Sequence, residues 1–550
     1  MAASMASAAG CVAPAASLRS TRRSVPAAAS RAGAAASPLA SRAASRGVAI
    51  RHAAANRRLL RSRVVAPVTR AAISDPTAES ADVGPESGLG KILRSNSGKI
   101  EKILCANRGE IAVRVFRAGT ELGMRTVAIF SEADRLATHR YKADESYCVN
   151  AGESPVGAYL GFEGIIETAK ANGVQAIHPG YGFLSENADF ARRCEEEGIA
   201  FIGPRSETIA QMGDKVIAKQ LAQECGLPLV PGTEDSTDSL EEAQAFAEEF
   251  GMPIMLKAAF GGGGRGMRVV RTMSELPEAF TRASSEALAA FGNGKMFLER
   301  YVEAPRHIEV QILADGEGNV VHLAERDCSV QRRHQKIIEE APAPGLTEAQ
   351  RRALGDAAVR AARAIDYRGA GTVEFLFSPE GEFFFMEMNT RLQVEHPVTE
   401  MITGQDLVAW QFAVANGQPL PATQEELHFN GHAIETRLYA ENPTKKFLPQ
   451  PGMLDVLQFP PETDTLRVEA GVQQGDEVTI FYDPMLAKLS AWGADRVAAT
   501  QAMADALAAT KLEGIQTNLG FLERIMRHPA FEGGQLDTGF VDRHMDDLLG

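Results

Sequence analysis

Cysteine is scarce in this chain of 550 residues. There are six, and Cys105, Cys148, Cys194, Cys225 and Cys328 follow Cys11 with no CxxC or other metal-ligand spacing. That excludes a disulfide framework and a zinc site, and it implies a reducing compartment. No apolar run approaches the ~20 residues that cross a bilayer, so no integral membrane segment is expected. The first turn after a predicted strand, Ala106-Asn-Arg-Gly-Glu110, lacks GxGxxG, and no GxxxxGK[ST] runs into a helix. Dinucleotide binding and a P-loop are therefore unsupported. Acidic side chains are missing from residues 1–74, which hold twelve arginines. The remainder then carries 45 basic and 71 acidic residues. An acidic body repels phosphate backbones, which excludes nucleic acid as a partner.

What the first segment does contain is Ala, Ser and Arg with no continuous apolar core. That composition fits an organelle transit peptide over 1–72, with Val64–Ala72 as the processing region, and argues against a secretory signal. Residues 73–97, with Pro76 and Pro85, read as a linker.

Ile103–Ala106 reads as a strand, Glu110–Leu122 as a helix and Thr126–Phe130 as a strand, the start of a Rossmann-like α/β domain over 98–210. A second domain is expected over 211–415. In it Pro253–Ala259 and Met267–Val270 read as strands around the glycine-rich loop Phe260–Gly266, which contains Gly262, Gly263 and Gly264. Bare backbone N–H groups in such a loop can close over phosphate oxygens, and Lys257 on the incoming strand suits an α- or β-phosphate. Met296–Val302 reads as a strand, His307 and Glu309 would share one face of the next, and Glu348–Ile365 reads as a helix. After Trp410 the pattern changes to short β segments and a helix over Asp495–Ala509, a mixed α/β domain over 429–545. The fold class is thus α/β and α+β, multidomain.

The most informative stretch is 372–396. Pro379-Glu380-Gly381-Glu382 reads as a tight hairpin with Glu380-Gly381 at its tip. Pairing Pro379 with Glu382 sets Phe377 opposite Phe384, Glu374 opposite Glu387 and Thr372 opposite Asn389. Opposed carboxylates repel unless a cation sits between them, and two carboxylates with an amide oxygen are the hard ligands Mg²⁺ takes beside substrate phosphates. Continued alternation would place Glu387, Asn389, Arg391, Gln393 and Glu395 on one face. That spacing puts Glu395 about 13 Å beyond Arg391 unless the chain bends after Asn389, with the Arg391 guanidinium keeping Glu395 ionised.

Three stretches, Glu387–Glu400 (EMNTRLQVEHPVTE), His178–Asn187 (HPGYGFLSEN) and Glu325–Lys336 (ERDCSVQRRHQK), resemble the signatures of biotin carboxylases within the ATP-grasp superfamily, and the likeness runs from Lys99 to about Leu549. The resemblance implies an ATP-grasp central domain with a glycine-rich lid. It implies Lys215, Lys257, Gln331 and His334 as nucleotide contacts, with Glu299 on the adenine amino group, backbone groups of Arg300 and Val302 nearby, and His307 and Val394 in the same site. It further implies Mg²⁺ (or Mn²⁺) on Glu374, Glu387 and Asn389; Lys336, Arg391 and Gln393 holding the bicarbonate-derived intermediate; Glu395 as base; and Arg437 stabilising the biotin enolate. Phe260 and Arg300 depart from the family, which has a small residue and often Lys at those positions.

The implied cofactors are ATP, the divalent cation and bicarbonate. No Ala-Met-Lys-Met attachment turn occurs, so biotin is expected in trans on a carrier protein. Carboxyltransferase subunits are then the further partners, a homodimer the expected assembly, and the chloroplast stroma the expected compartment.

Overall fold

The computed structural model describes residues 100–550 apart from residue 234 and the loop 260–266, so the leader, the linker and Gly262, Gly263 and Gly264 lie outside the described residues. Five parallel strands come first: β1 (Lys102–Cys105), β2 (Arg125–Phe130), β3 (Glu145–Cys148), β4 (Ala176–His178) and β5 (Ala200–Phe201), in the order β3-β2-β1-β4-β5. The inner strands β1, β2 and β4 are largely buried, as a parallel sheet covered on both faces requires, whereas the edge strand β3 is polar and half-exposed. The helix Gly109–Glu121 starts directly after β1, giving the expected Rossmann-like entry without a dinucleotide fingerprint.

A small antiparallel sheet follows, β6 (Ile254–Ala258), β7 (Met267–Val270) and β8 (Met296–Arg300), in the order β7-β6-β8. It has its own apolar core of Phe246, Ile254, Leu256, Phe280, Met296 and Leu298. Both strands flanking the glycine loop fall where the sequence placed them.

The third sheet is antiparallel and holds β9 (Arg306–Asp315), β10 (Val320–Arg332), β11 (Gln335–Ala341), β12 (Arg368–Phe377), β13 (Phe383–Asn389), β14 (His432–Tyr439), β15 (Leu466–Ala470) and β16 (Met485–Gly493). Its order is β13-β12-β9-β10-β11-β14-β16-β15. Strand β11 pairs with β14, so one sheet crosses the segment at 415–429 and carries the C-terminal strands on the same ladder. The helix Leu407–Ala415 is apolar except for Gln411, whose side chain meets His178, and is buried through Val414, with Trp410 packed among Ile103, Leu313 and Phe412. A helix without a polar stripe has no face to give to water, and this one joins the first sheet to the third.

The central hairpin differs from expectation at its ends and agrees in its middle. Glu374 faces Glu387 and Thr372 faces Asn389, but Phe377 pairs with Phe383 instead of Phe384. The loop is one residue longer than a two-residue turn: Gly381, at φ +89°, donates its N–H to the Ser378 carbonyl, and Ser378 then pairs with Glu382. A bulge between Phe375 and Glu374 absorbs one extra residue on β13, around the exposed Met386, and returns the register to the expected one at the carboxylates. Strand β13 ends at Asn389, so the alternation expected through Glu395 does not continue. Leu392 turns inward to full burial, the Val394 carbonyl accepts a hydrogen bond from Lys488 Nζ at 2.6 Å, and a helix begins at His396 with Pro397 in its first turn.

Candidate active site

The bend after Asn389 brings together what an extended chain would keep apart. Glu395 lies at the start of the helix His396–Thr403, buried, with Oε1 2.7 Å from Lys336 Nζ and Oε2 2.8 Å from Arg437. Lys336, on the face of β11, also stands 2.7 Å from Glu309 and 3.0 Å from Glu374. Burial works against both charges. Lys336, Arg437 and Arg326 nevertheless hold Glu395 well below the usual carboxylate range, and three carboxylates hold the Lys336 ammonium well above its usual value. Arg391 does not reach Glu395. Its guanidinium bonds Glu186 Oε2 at 3.1 Å and Asn389 Oδ1 at 2.9 Å, so the charge that keeps Glu395 ionised comes from β11 and β14.

Glu374 is the most heavily solvated by protein. It accepts from Lys336, from Asn389 Nδ2 at 2.8 Å and from Gln393 Nε2 at 2.8 Å, and His307 Nε2 stands 2.9 Å away. Gln331 Nε2 donates to His307 Nδ1 at 2.8 Å, which leaves the imidazole proton on the nitrogen facing Glu374. Opposite, Glu387 remains open to solvent. The residue is exposed as a whole, but the atoms packed around its carboxyl withdraw that group in part from water, and this with the Glu374 charge pushes it up, against Lys215 and His307. A carboxylate pair with one member fully paired and the other without an ion pair among the described residues fits a divalent cation. Asn389 fits less well as arranged: its amide N–H groups face Glu374 and its oxygen is taken by Arg391.

The expected nucleotide residues divide. Glu299 at the end of β8 is buried and paired with Lys257. The Arg300 N–H is committed to the Pro231 carbonyl and its guanidinium approaches Glu382 at 3.4 Å, while Val302 is buried just beyond. His334 sits at the exposed β10–β11 turn with φ +65°, away from the buried cluster. Lys215 begins the helix Lys215–Glu224, also exposed.

Several participants escaped the sequence reading. Arg326, inside the ERDC motif, is fully buried and bonds Glu309, Gln311, Thr399, Thr372 and Gln393, tying three elements to the site. Glu339, three residues beyond Lys336 on β11, stands 2.6 Å from Arg437. Lys219 pairs with Glu299 from one helical turn beyond Lys215. Only that i, i+4 spacing could have pointed to it.

A cluster of buried cations and carboxylates of this kind suits an enzyme that handles phosphate and carboxylate groups, and the comparisons with known proteins narrow the class. Family models for the biotin carboxylase N-terminal domain, the carbamoyl-phosphate synthase L chain ATP-binding domain and the biotin carboxylase C-terminal domain match residues 99–209, 214–423 and 435–543. The biotin carboxylase of Halalkalibacterium halodurans is 52% identical over 446 residues, covering 81% of this chain and 98% of that one. The chain belongs to the biotin carboxylase family.

The mitochondrial methylcrotonoyl-CoA carboxylase subunit alpha of Dictyostelium discoideum is also 52% identical, over 82% of this chain, and the match spans only 64% of that relative's length. Among solved structures, the biotin carboxylase domain dimer of Hydrogenobacter thermophilus 2-oxoglutarate carboxylase, in complex with MgADP, ADP and bicarbonate, superposes with a TM-score of 0.77. It is 46% identical over 82% of this chain and 99% of that one. A biotin carboxylase–ATP-analogue complex from Campylobacter jejuni gives 0.77 at 45% identity, over 81% and 99%.

Proposed function

We propose that the chain uses ATP and bicarbonate to carboxylate biotin on a carrier protein, releasing ADP and phosphate. The observation that carries this is the Lys336–Glu395–Arg437 arrangement: one buried carboxylate held ionised between two cations. Glu395 takes the bicarbonate proton as bicarbonate attacks the γ-phosphoryl group. Lys336 and Arg391 hold the carboxyphosphate so formed, and Arg437 stabilises the biotin enolate that accepts the carboxyl group. The Glu374–Glu387 pair holds the divalent cation, which screens phosphate charge when bound. Lys257 contacts the phosphates, and the glycine loop excludes water from an intermediate that hydrolyses readily.

The finer assignment is to the biotin carboxylase subunit of a plastid acetyl-CoA carboxylase, a homodimer served by a separate carrier and carboxyltransferase. It rests on the arginine-rich leader, which carries no acidic residue before Asp75. A second reading, the α-subunit of an acyl-CoA carboxylase, is favoured by the methylcrotonoyl-CoA carboxylase similarity and fits about as well. Protein isolated from its organelle separates them. A streptavidin-negative chain whose intact mass lacks about 70 leader residues supports the plastid subunit, and a biotinylated chain supports the other. For the shared activity, ADP release by purified protein must rise when biotin and bicarbonate are supplied together.

A further inference from the structure

Glu299 is a buried carboxylate gripped from two sides in the absence of nucleotide. Lys257 on β6 takes one oxygen and Lys219, from the helix Lys215–Glu224, takes the other. The two lysines are not equivalent. Lys257 sits on the strand that enters the glycine loop, and on the reading proposed above it must turn to the phosphates when ATP arrives. Lys219 is half-exposed on a helix, and its Nζ lies 5.7 Å from the ring centroid of Phe297 on β8, a cation–π approach beside Glu299. Once Lys257 leaves, Lys219 is the one cation shown on Glu299 among the described contacts.

We infer that Lys219 is a positioning residue for purine selection: it keeps Glu299 charged and turned toward the base while Lys257 serves the phosphates. An ionised Glu299 accepts a hydrogen bond from an exocyclic amino group, as adenine presents, and repels a carbonyl oxygen, as guanine or hypoxanthine presents. Burial opposes that charge; Lys257 and Lys219 together overcome it and hold the carboxyl below its usual range. With neither lysine in place, a buried carboxyl takes up a proton and becomes a donor, which a carbonyl base accepts. Lys219 thus sets the sign of the hydrogen bond offered to the base. Lys215, one turn earlier, is exposed and cannot substitute, because its charge acts on Glu387.

This inference rests on the ATP-dependent carboxylase reading, and the wild-type enzyme controls for that. Biotin- and bicarbonate-dependent cleavage of ATP, GTP and ITP is measured for wild type, Lys219→Met and Lys219→Arg. The Met variant should raise KM for ATP roughly tenfold, the scale of one charge-assisted hydrogen bond at a half-exposed site, with a much smaller fall in kcat. Its preference for ATP over ITP should narrow by a similar factor, and the Arg variant should restore both. Unchanged base preference in Lys219→Met, or a fall in kcat with KM unaltered, overturns the inference. Wild type lacking biotin-dependent ATP cleavage overturns the underlying reading instead. A purely structural lysine would change melting temperature and leave the ATP-to-ITP ratio where it was.

Discussion

Lys336 Nζ lies 2.7 Å from Glu395 Oε1, and these two residues belong to different faces of the fold: a β-strand of the large sheet and the first position of the helix His396–Thr403. The contact exists because β13 stops at Asn389 and the chain folds back. It makes Glu395 a carboxylate that stays charged at every physiological pH and is aimed by its neighbours.

Glu395→Gln keeps shape and hydrogen bonding but removes the proton acceptor. Loss of a general base costs on the order of 10²–10⁴-fold in kcat. KM for ATP should move little, since no nucleotide contact is proposed for this residue. Because the Glu395 carboxyl titrates well below its usual range, the wild-type rate between pH 6 and 8 should not trace its protonation. Steady-state kinetics of the variant and a wild-type pH–rate profile check both statements. A Gln variant within a few-fold of wild type assigns the proton to another group.

The opposed carboxylates should respond differently to truncation. Glu374→Ala strips a partner from Lys336, His307, Asn389 and Gln393 at once, and unpaired buried groups of this kind cost about 3–5 kcal/mol. Glu387→Ala removes an exposed charge that repels Glu374, so stability without metal should hold within about 0.5 kcal/mol or rise. Both should lose the increase in melting temperature that MgADP gives wild type. Equal destabilisation by the two substitutions would contradict the asymmetry in the hairpin.

Stability should depend on pH with opposite signs below and above the ordinary carboxylate value of 4.5. Burial raises Glu110 and Glu435 to about 7 and Glu339 to about 8, although Lys488 or Arg437 opposes it in each case. A carboxyl whose folded pKa is raised contributes stability at low pH and loses it as pH rises through the folded value, here 7 to 8. Glu374, Glu395 and Glu469 are depressed below 4.5, so their contribution is present above that pH and fades as pH falls. Melting temperature should therefore fall as pH rises from about 5 to 8 and level off above that, less steeply in Glu435→Gln. A flat or rising curve between about pH 5 and 8 would contradict these assignments.

Local signals told where strands and helices lie. Strand signals beside the glycine loop placed β7 to the residue, and the Glu374–Glu387 pairing follows from turn residues and charge. The flanks failed for a definable reason. A three-residue loop and a bulge at Met386 each shift the register by one and cancel at the carboxylates, so the middle came out right while Phe377–Phe384 did not. Alternation also cannot announce a bend. Glu395 looked like the next residue of a polar face, whereas burial of Leu392 and the Lys488 bond to Val394, some 94 residues away in the chain, decide where it points. Long-range pairings such as Arg437 with Glu395 and Lys219 with Glu299 carry no local signature, which is why these counterions emerged only from the tertiary arrangement.

The central claim is that one buried cluster couples ATP cleavage to biotin carboxylation. Purified protein should be given MgATP, free biotin and [¹⁴C]bicarbonate, and the acid-labile label in biotin counted. The account predicts ATP-dependent label in biotin for wild type, with ADP formed in step, and almost none for Glu395→Gln. Wild-type protein that cleaves ATP at a rate indifferent to biotin and transfers no label would contradict it.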